Sequence, residues 1–183
     1  MHRKFLWLVL LIPFTGFGQD NNSTTAPEYK KSHYIHFSYG LGGDKNAVQF
    51  RSAFQITKKI SIGAGIISTF ANQTILSADP NSHTVDTYSV DVGYIHKARH
   101  ALFRLSAAPT VNNISVYGPN SGIFVGPAEI KKGVFGIMLA GEVAVCGKVG
   151  GASLSSFVNI NNEFTYGGLT FGFILGRLIV PKK

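Results

Sequence analysis

The chain has 183 residues, 17 Lys and Arg against 9 Asp and Glu, and a formal net charge of +8. That length suits a single domain, and the lone cysteine, Cys146, excludes an internal disulfide. The basic balance invites a nucleic-acid reading. The cations, however, are scattered over turns rather than gathered on a helix or an aromatic sheet face, so no nucleic-acid partner is expected.

Residues 1–19 read as an export signal that is cleaved. Arg3 and Lys4 supply the positive start, Phe5–Ile12 a short apolar run, and Thr15–Gly18 small residues before a cut near Gly18 or Gln19. The run is too short to cross a bilayer as a helix, and Pro13 interrupts it. No cysteine lies near the cut, so a lipid-anchored N-terminus is not expected. Residues 20–31 are polar, contain Pro27 and lack periodicity, which reads as a flexible periplasmic leader. No later apolar run reaches the ~18 residues of a membrane helix. If residues 32–183 cross a membrane, they cross it as strands.

From His33 onward, apolar side chains recur at every second position. His33–Gly42 sets Ile35, Phe37, Tyr39 and Leu41 against His36, Ser38, Gly40 and Gly42. Ala47–Thr57 sets Val48, Phe50, Phe54 and Ile56 against Gln49, Arg51, Ala53 and Gln55. Ile60–Ala71 opposes Ile60, Ile62, Ala64, Ile66 and Phe70 to Ser61, Gly63, Gly65 and Thr69. In Val85–His96 the faces are Tyr88, Val90, Val92 and Tyr94 against Thr87, Ser89, Asp91 and Gly93. In Ala101–Val111 they are Ala101, Phe103, Leu105 and Ala107 against Leu102, Arg104, Ser106 and Thr110. Val134–Cys146 places Phe135, Ile137, Leu139, Val143 and Val145 opposite Gly136, Met138, Ala140 and Glu142. Val149–Asn159 is the weakest, with Ala152, Leu154 and Val158 against Ser153 and Ser155. Thr165–Leu178 ends the series with Leu169, Phe171, Phe173 and Leu175 against Gly168, Thr170 and Gly172.

Period two excludes a helix, which would scatter these apolar residues around its axis. The strand lengths suit a hydrocarbon crossing of about 9–11 tilted residues. The exceptions on the apolar faces, Ser52, Ser68 and Gly141, are small and uncharged. The connections alternate between tight turns, at residues 58–59, 97–100 and 147–148, and longer loops. Short periplasmic turns with longer outside loops are the usual arrangement of outer-membrane barrels. The expected fold is all-β: an eight-stranded antiparallel up-and-down transmembrane barrel with its oily face outward, in the outer membrane.

The signal segment, the alternating strands and the loop rhythm resemble the small eight-stranded outer-membrane β-barrels of diderm bacteria, the OmpA/OmpX/OmpW-like class. The resemblance covers nearly all of the chain after the signal and rests on pattern rather than on a diagnostic motif. It implies outer-membrane lipids and the barrel-insertion machinery as partners. In that class the last strand commonly ends on an aromatic that this machinery reads. Here Phe171 and Phe173 lie well before the closing Ile179–Lys183, so an internal segment would have to serve.

Four charges fall on polar faces: Arg51, Asp91, Arg104 and Glu142. The turn at 97–100 places Arg104 opposite Gly93 and diagonal to Asp91, within reach of a long side chain. An unpaired buried charge is strongly unfavourable, so two cations and two anions in a narrow lumen are expected to pair and plug it. The alternative is a narrow channel for small solutes lined by the same residues. His36, Ser38 and Asp91 share the polar side, but their spacing matches no catalytic motif and an enzyme is not expected. The six histidines lack metal spacing, and Gly40–Gly43 and Gly147–Gly151 precede strands rather than the helix a phosphate loop needs, so they read as turn and bulge glycines. No cofactor is expected. Gly63, Gly65 and Gly93 read as space for Arg51 and Arg104.

Tyr39, Phe50, Phe70, Tyr88, Tyr94, Phe103 and Phe135 read as interfacial girdles in a membrane barrel. In a soluble periplasmic ligand-binding barrel, the remaining alternative, they would form the core instead. Lys30, Lys31, Lys58, Lys59, Lys97, Arg99, Lys148, Lys182 and Lys183 gather at the short-turn end, where they can meet anionic phospholipid headgroups or simply stay solvated. The outer loops mix Lys45, Lys131 and Lys132 with Asp44, Asp79, Glu129 and Glu163. In the 112–132 loop, Tyr117, Ile123, Phe124 and Val125 are the candidate contacts for an extracellular partner, or a cover over the barrel mouth. The function expected from these residues is a closed structural or interaction protein of the envelope.

Overall fold

A computed structural model describes residues 32–42, 45–71, 83–98, 100–116, 129–147, 149–163 and 165–177. The signal segment, the leader at 20–31 and the loop residues Tyr117, Ile123, Phe124 and Val125 lie outside the described residues.

The strands are β1 (His33–Gly42), β2 (Lys45–Gln55), β3 (Ile60–Ala71), β4 (His83–Lys97), β5 (Ala101–Val116), β6 (Glu129–Cys146), β7 (Gly150–Asn161) and β8 (Thr165–Arg177). Each pairs antiparallel with its sequence neighbours, and β8 returns to β1, closing a ring. Closure leaves no lateral edge through the body of the sheet, so every ladder there satisfies its backbone groups internally, as hydrocarbon demands.

Alternation sets the two surfaces. Phe37, Val90, Phe135, Leu139, Phe171 and Phe173 point outward and are 53–75% exposed. All seven expected girdle aromatics face outward as well. A continuous oily exterior of this kind is not tolerated in water, where exposed apolar patches rarely exceed a few hundred Å². The inward positions hold His36, Gln49, Arg51, Asp91, Arg104 and Glu142, all essentially inaccessible. This distribution opposes a soluble ligand-binding barrel, whose large hydrophobic residues would converge on the axis.

The interior is less uniformly polar than the alternation predicts. Tyr34, Ala53, Ile95, Leu102, Ala144, Cys146 and Ile174 form a buried apolar cluster near the short-turn end. Ala47, Ile67, Ala108, Met138, Ala140 and Phe157 form a second, nearer the long-loop end, with Tyr166 packed against it. The charged residues lie between these two layers.

Two glycines are needed for their backbone. Gly133 has φ +72 where Asn112 pairs with Val134 and Ile114 with Lys131, so β6 carries one residue more than β5 and bulges. Gly176 has φ +144 where β8 closes on β1, and a Cβ there would lie 2.3 Å from the His33 carbonyl oxygen. Gly40, Gly42, Gly150 and Gly151, by contrast, lie within strands without positive φ rather than in turns or bulges.

Candidate functional site

Arg51 on β2, Asp91 on β4, Arg104 on β5 and Glu142 on β6 all occupy inward positions and are at most 1% exposed. Asp91 is the centre of the group. Its Oδ1 accepts a charge-assisted hydrogen bond from Arg104 Nη2, and its Oδ2 lies 3.7 Å from Arg51 Nε. Arg104 Nε donates to Ser61 Oγ at 2.9 Å, and the Ser61 hydroxyl donates on to the Gly93 carbonyl at 3.2 Å. One carboxylate is therefore shared by two guanidinium groups, and one of these is also anchored to β3.

The register corrects the turn count. Arg104 pairs with Ile95, and Ser106 is the residue opposite Gly93. Arg104 still reaches Asp91 because the intervening inward position on β4 is Gly93, where a Cβ would lie 3.2 Å from Arg104 Nε. Gly63 does the same for the acid, since a Cβ there would lie 2.9 Å from both Asp91 carboxylate oxygens. Gly65 leaves space for the Arg51 stem, 3.3 Å from where its Cβ would be.

Glu142 behaves differently from the expectation of simple pairing. It lies opposite Arg104 in the ladder, yet among the described residues no arginine comes within ion-pair distance of it. Its Oε2 instead accepts a hydrogen bond from the Tyr34 hydroxyl at 3.2 Å. Tyr34 was legible only by parity, as the inward position one step before His36 on β1.

His36 pairs in register with Arg51 and is fully buried. Neither ring nitrogen has a hydrogen-bond partner among the described residues. Ser38 donates to Thr170 Oγ1 at 2.9 Å, so His36 and Ser38 do not assemble a nucleophile–base pair. No group of His, Cys, Asp and Glu among the described residues is arranged to hold a metal.

Toward the long-loop end, a hydroxyl and amide network crosses the lumen. Asn159 Nδ2 donates to Asn112 Oδ1 at 2.8 Å and to the Tyr166 hydroxyl at 3.0 Å, and Tyr166 is also hydrogen-bonded to Thr87. Thr87 donates to Asn112 Oδ1 at 2.7 Å. This cap joins β4, β5, β7 and β8. Lys45, assigned from sequence to an outer loop, opens β2 instead, with its ammonium donating to the His83 carbonyl at 2.9 Å.

Above the cap, β6 runs on past β7, while β5 stays paired with β4 to its last residue, Val116 with His83. Residues 129–135 of β6 pair with β5 alone, because the β6–β7 ladder begins at Gly136 and Asn161. Lys131 ties this edge to the β7–β8 turn through Glu163 at 3.0 Å, and that carboxylate raises the Lys131 pKa above the usual lysine value.

A closed antiparallel ring of eight strands, hydrophobic without and polar within, is the architecture of the small outer-membrane barrels. Among solved structures, the chain is similar to Neisserial surface protein A (TM-score 0.61, 10% identity, covering 79% of this chain and 96% of that one). It is likewise similar to the N-terminal barrel domain of Pseudomonas aeruginosa OprF (TM-score 0.58, 10% identity, covering 80% and 96%). A third similar structure is the attachment invasion locus protein Ail of Yersinia pestis (TM-score 0.53, 11% identity, covering 80% and 96%). No protein-family model and no curated protein matches the sequence. At these identities the likeness is one of fold.

Proposed function

We propose that the chain is an integral outer-membrane barrel, closed by its own interior, that acts as a structural and interaction protein of the envelope. The observation that carries this reading is the sealed layering of the lumen. Apolar clusters lie on either side of Arg51, Asp91, Arg104 and Glu142, and the polar cap follows above. Ions crossing such a lumen would have to pass two desolvating layers and separate a buried ion pair. Eight strands leave an interior that side chains fill, which agrees with a plug rather than a pore.

The interaction role is placed on the β5–β6 hairpin. The unshared edge of β6 presents backbone groups of the kind that accept an added strand, and Ile130 beside it is 52% exposed. Tyr117, Ile123, Phe124 and Val125, in the sequence between β5 and β6, are the candidate contact residues beside it.

Fractionation and electrophoresis with and without boiling test membrane location and barrel closure together. The expected result is a detergent-requiring protein in the outer-membrane fraction whose unboiled form migrates as a compact species. Planar-bilayer recordings are expected to remain quiet. Stable openings that respond to Arg104→Ala would overturn the plug.

A further inference from the structure

On the outer face of the barrel, a groove of about 530 Å³ runs across β7, β8 and β1, lined by Ile35, Phe37, Gly151, Ala152, Phe173 and Leu175. It exists because β7 is small there. Ala152 pairs with Phe173 and contributes one methyl where the neighbouring strands contribute aromatic rings and branched chains. Phe37 pairs with Phe173 and Ile35 with Leu175, so these larger side chains form one wall.

The same register puts the Arg177 guanidinium, with His33 beside it, directly below the groove. His33 pairs with Arg177, each two residues further along the outward face from Ile35 and Leu175, and both are exposed. Lys58 and Lys59 stand in the next turn of the rim. No Asp or Glu lies at this end among the described residues, since the described acids are in the lumen or toward the long-loop end. An apolar slot with a guanidinium two residues beyond its Leu175 wall matches a molecule with an acyl chain and a phosphate.

We propose that this slot is a binding site for an anionic phospholipid of the periplasmic leaflet, with the acyl chain along Ala152 and the headgroup phosphate on Arg177. The proposal rests on the membrane reading above. It goes further in assigning one face of the barrel and one lipid charge class.

The test uses a reporter in the groove wall. Trp7, the only tryptophan of the sequence, lies in the expected signal segment, so Phe37→Trp gives the exported protein a single tryptophan, excited apart from its tyrosines. The protein is reconstituted in phosphatidylcholine vesicles containing equal fractions of either brominated phosphatidylglycerol or brominated phosphatidylcholine, and quenching is compared. Phosphatidylglycerol is expected to be favoured by about fivefold, the factor one basic side chain near an anionic surface contributes. Arg177→Gln should bring the ratio close to unity, and Ala152→Phe, which fills the slot, should also lower it. A Leu139→Trp reporter on β6 should show no preference. Equal quenching by both lipids at Phe37→Trp, a preference that survives Arg177→Gln, or the same preference at Leu139→Trp would overturn the site. Quenching by neither lipid would instead remove the membrane reading on which it rests.

Discussion

Replacing Asp91 with Asn is the sharpest test of how the lumen is held together. The substitution keeps size and shape and removes the one carboxylate that two guanidinium groups share. Arg51 and Arg104 are 1% and 0% exposed, so neither can turn to solvent. Glu142 does not take over, because it approaches neither arginine within ion-pair distance in the parent. Removing one partner of a buried pair costs about 3–5 kcal/mol, because the surviving charge is left uncompensated. Asp91→Asn is therefore expected to lower the unfolding free energy by about that amount, measured by urea titration of the barrel in lipid vesicles with electrophoretic mobility and circular dichroism as readouts. Adding Arg104→Met should recover part of the loss, since residues in one ion-pair network couple by roughly 0.5–3 kcal/mol. A loss within about 0.5 kcal/mol, as at an ordinary surface position, would refute the claim that Asp91 neutralises the lumen.

Val90→Arg places a charge on the outward face of β4 at a position 67% exposed, and should cost roughly 2–4 kcal/mol in a bilayer while a water-exposed face would tolerate it. Gly172→Val should prevent ring closure, because a Cβ there would lie 2.1 Å from the Phe37 carbonyl oxygen; its unboiled form should lose the compact mobility. Asn159→Leu removes two hydrogen bonds from the cap and leaves Asn112 Oδ1 and the Tyr166 hydroxyl with Thr87 alone; at about 0.5–1.5 kcal/mol each, a loss of about 1–3 kcal/mol is expected in the same urea titration. Lys131→Ala should leave the urea midpoint indistinguishable from the parent's, since its pair with Glu163 is exposed on both sides and is screened by salt.

The outward face was legible because a two-residue period admits one geometry, and β1 and β3 begin and end where that period does. The extensions of β5 to Val116 and of β6 back to Glu129 were not, because Asn112–Lys132 is rich in turn residues and its pairing depends on a partner strand rather than on its own pattern. The inward apolar layers did leave a trace. Ile66–Ile67, Tyr94–Ile95, Phe157–Val158 and Ile174–Leu175 are consecutive apolar pairs, and in a strand one member of each must face the axis. The charged residues were identifiable from parity, but their partners were not. Counting across the turn at 97–100 misplaced Arg104 along β4, and the Tyr34–Glu142 bond joins positions far apart in the chain.

The meeting of β8 with β1 governs how such a molecule can come into being. Residue 33 meets residue 54 on one side but finds its other neighbour only at residue 177, so synthesis must be finished before the hoop can be fastened. Until then two raw hydrogen-bonding borders stay open, which makes the unfinished chain an object for escort rather than for spontaneous release into water.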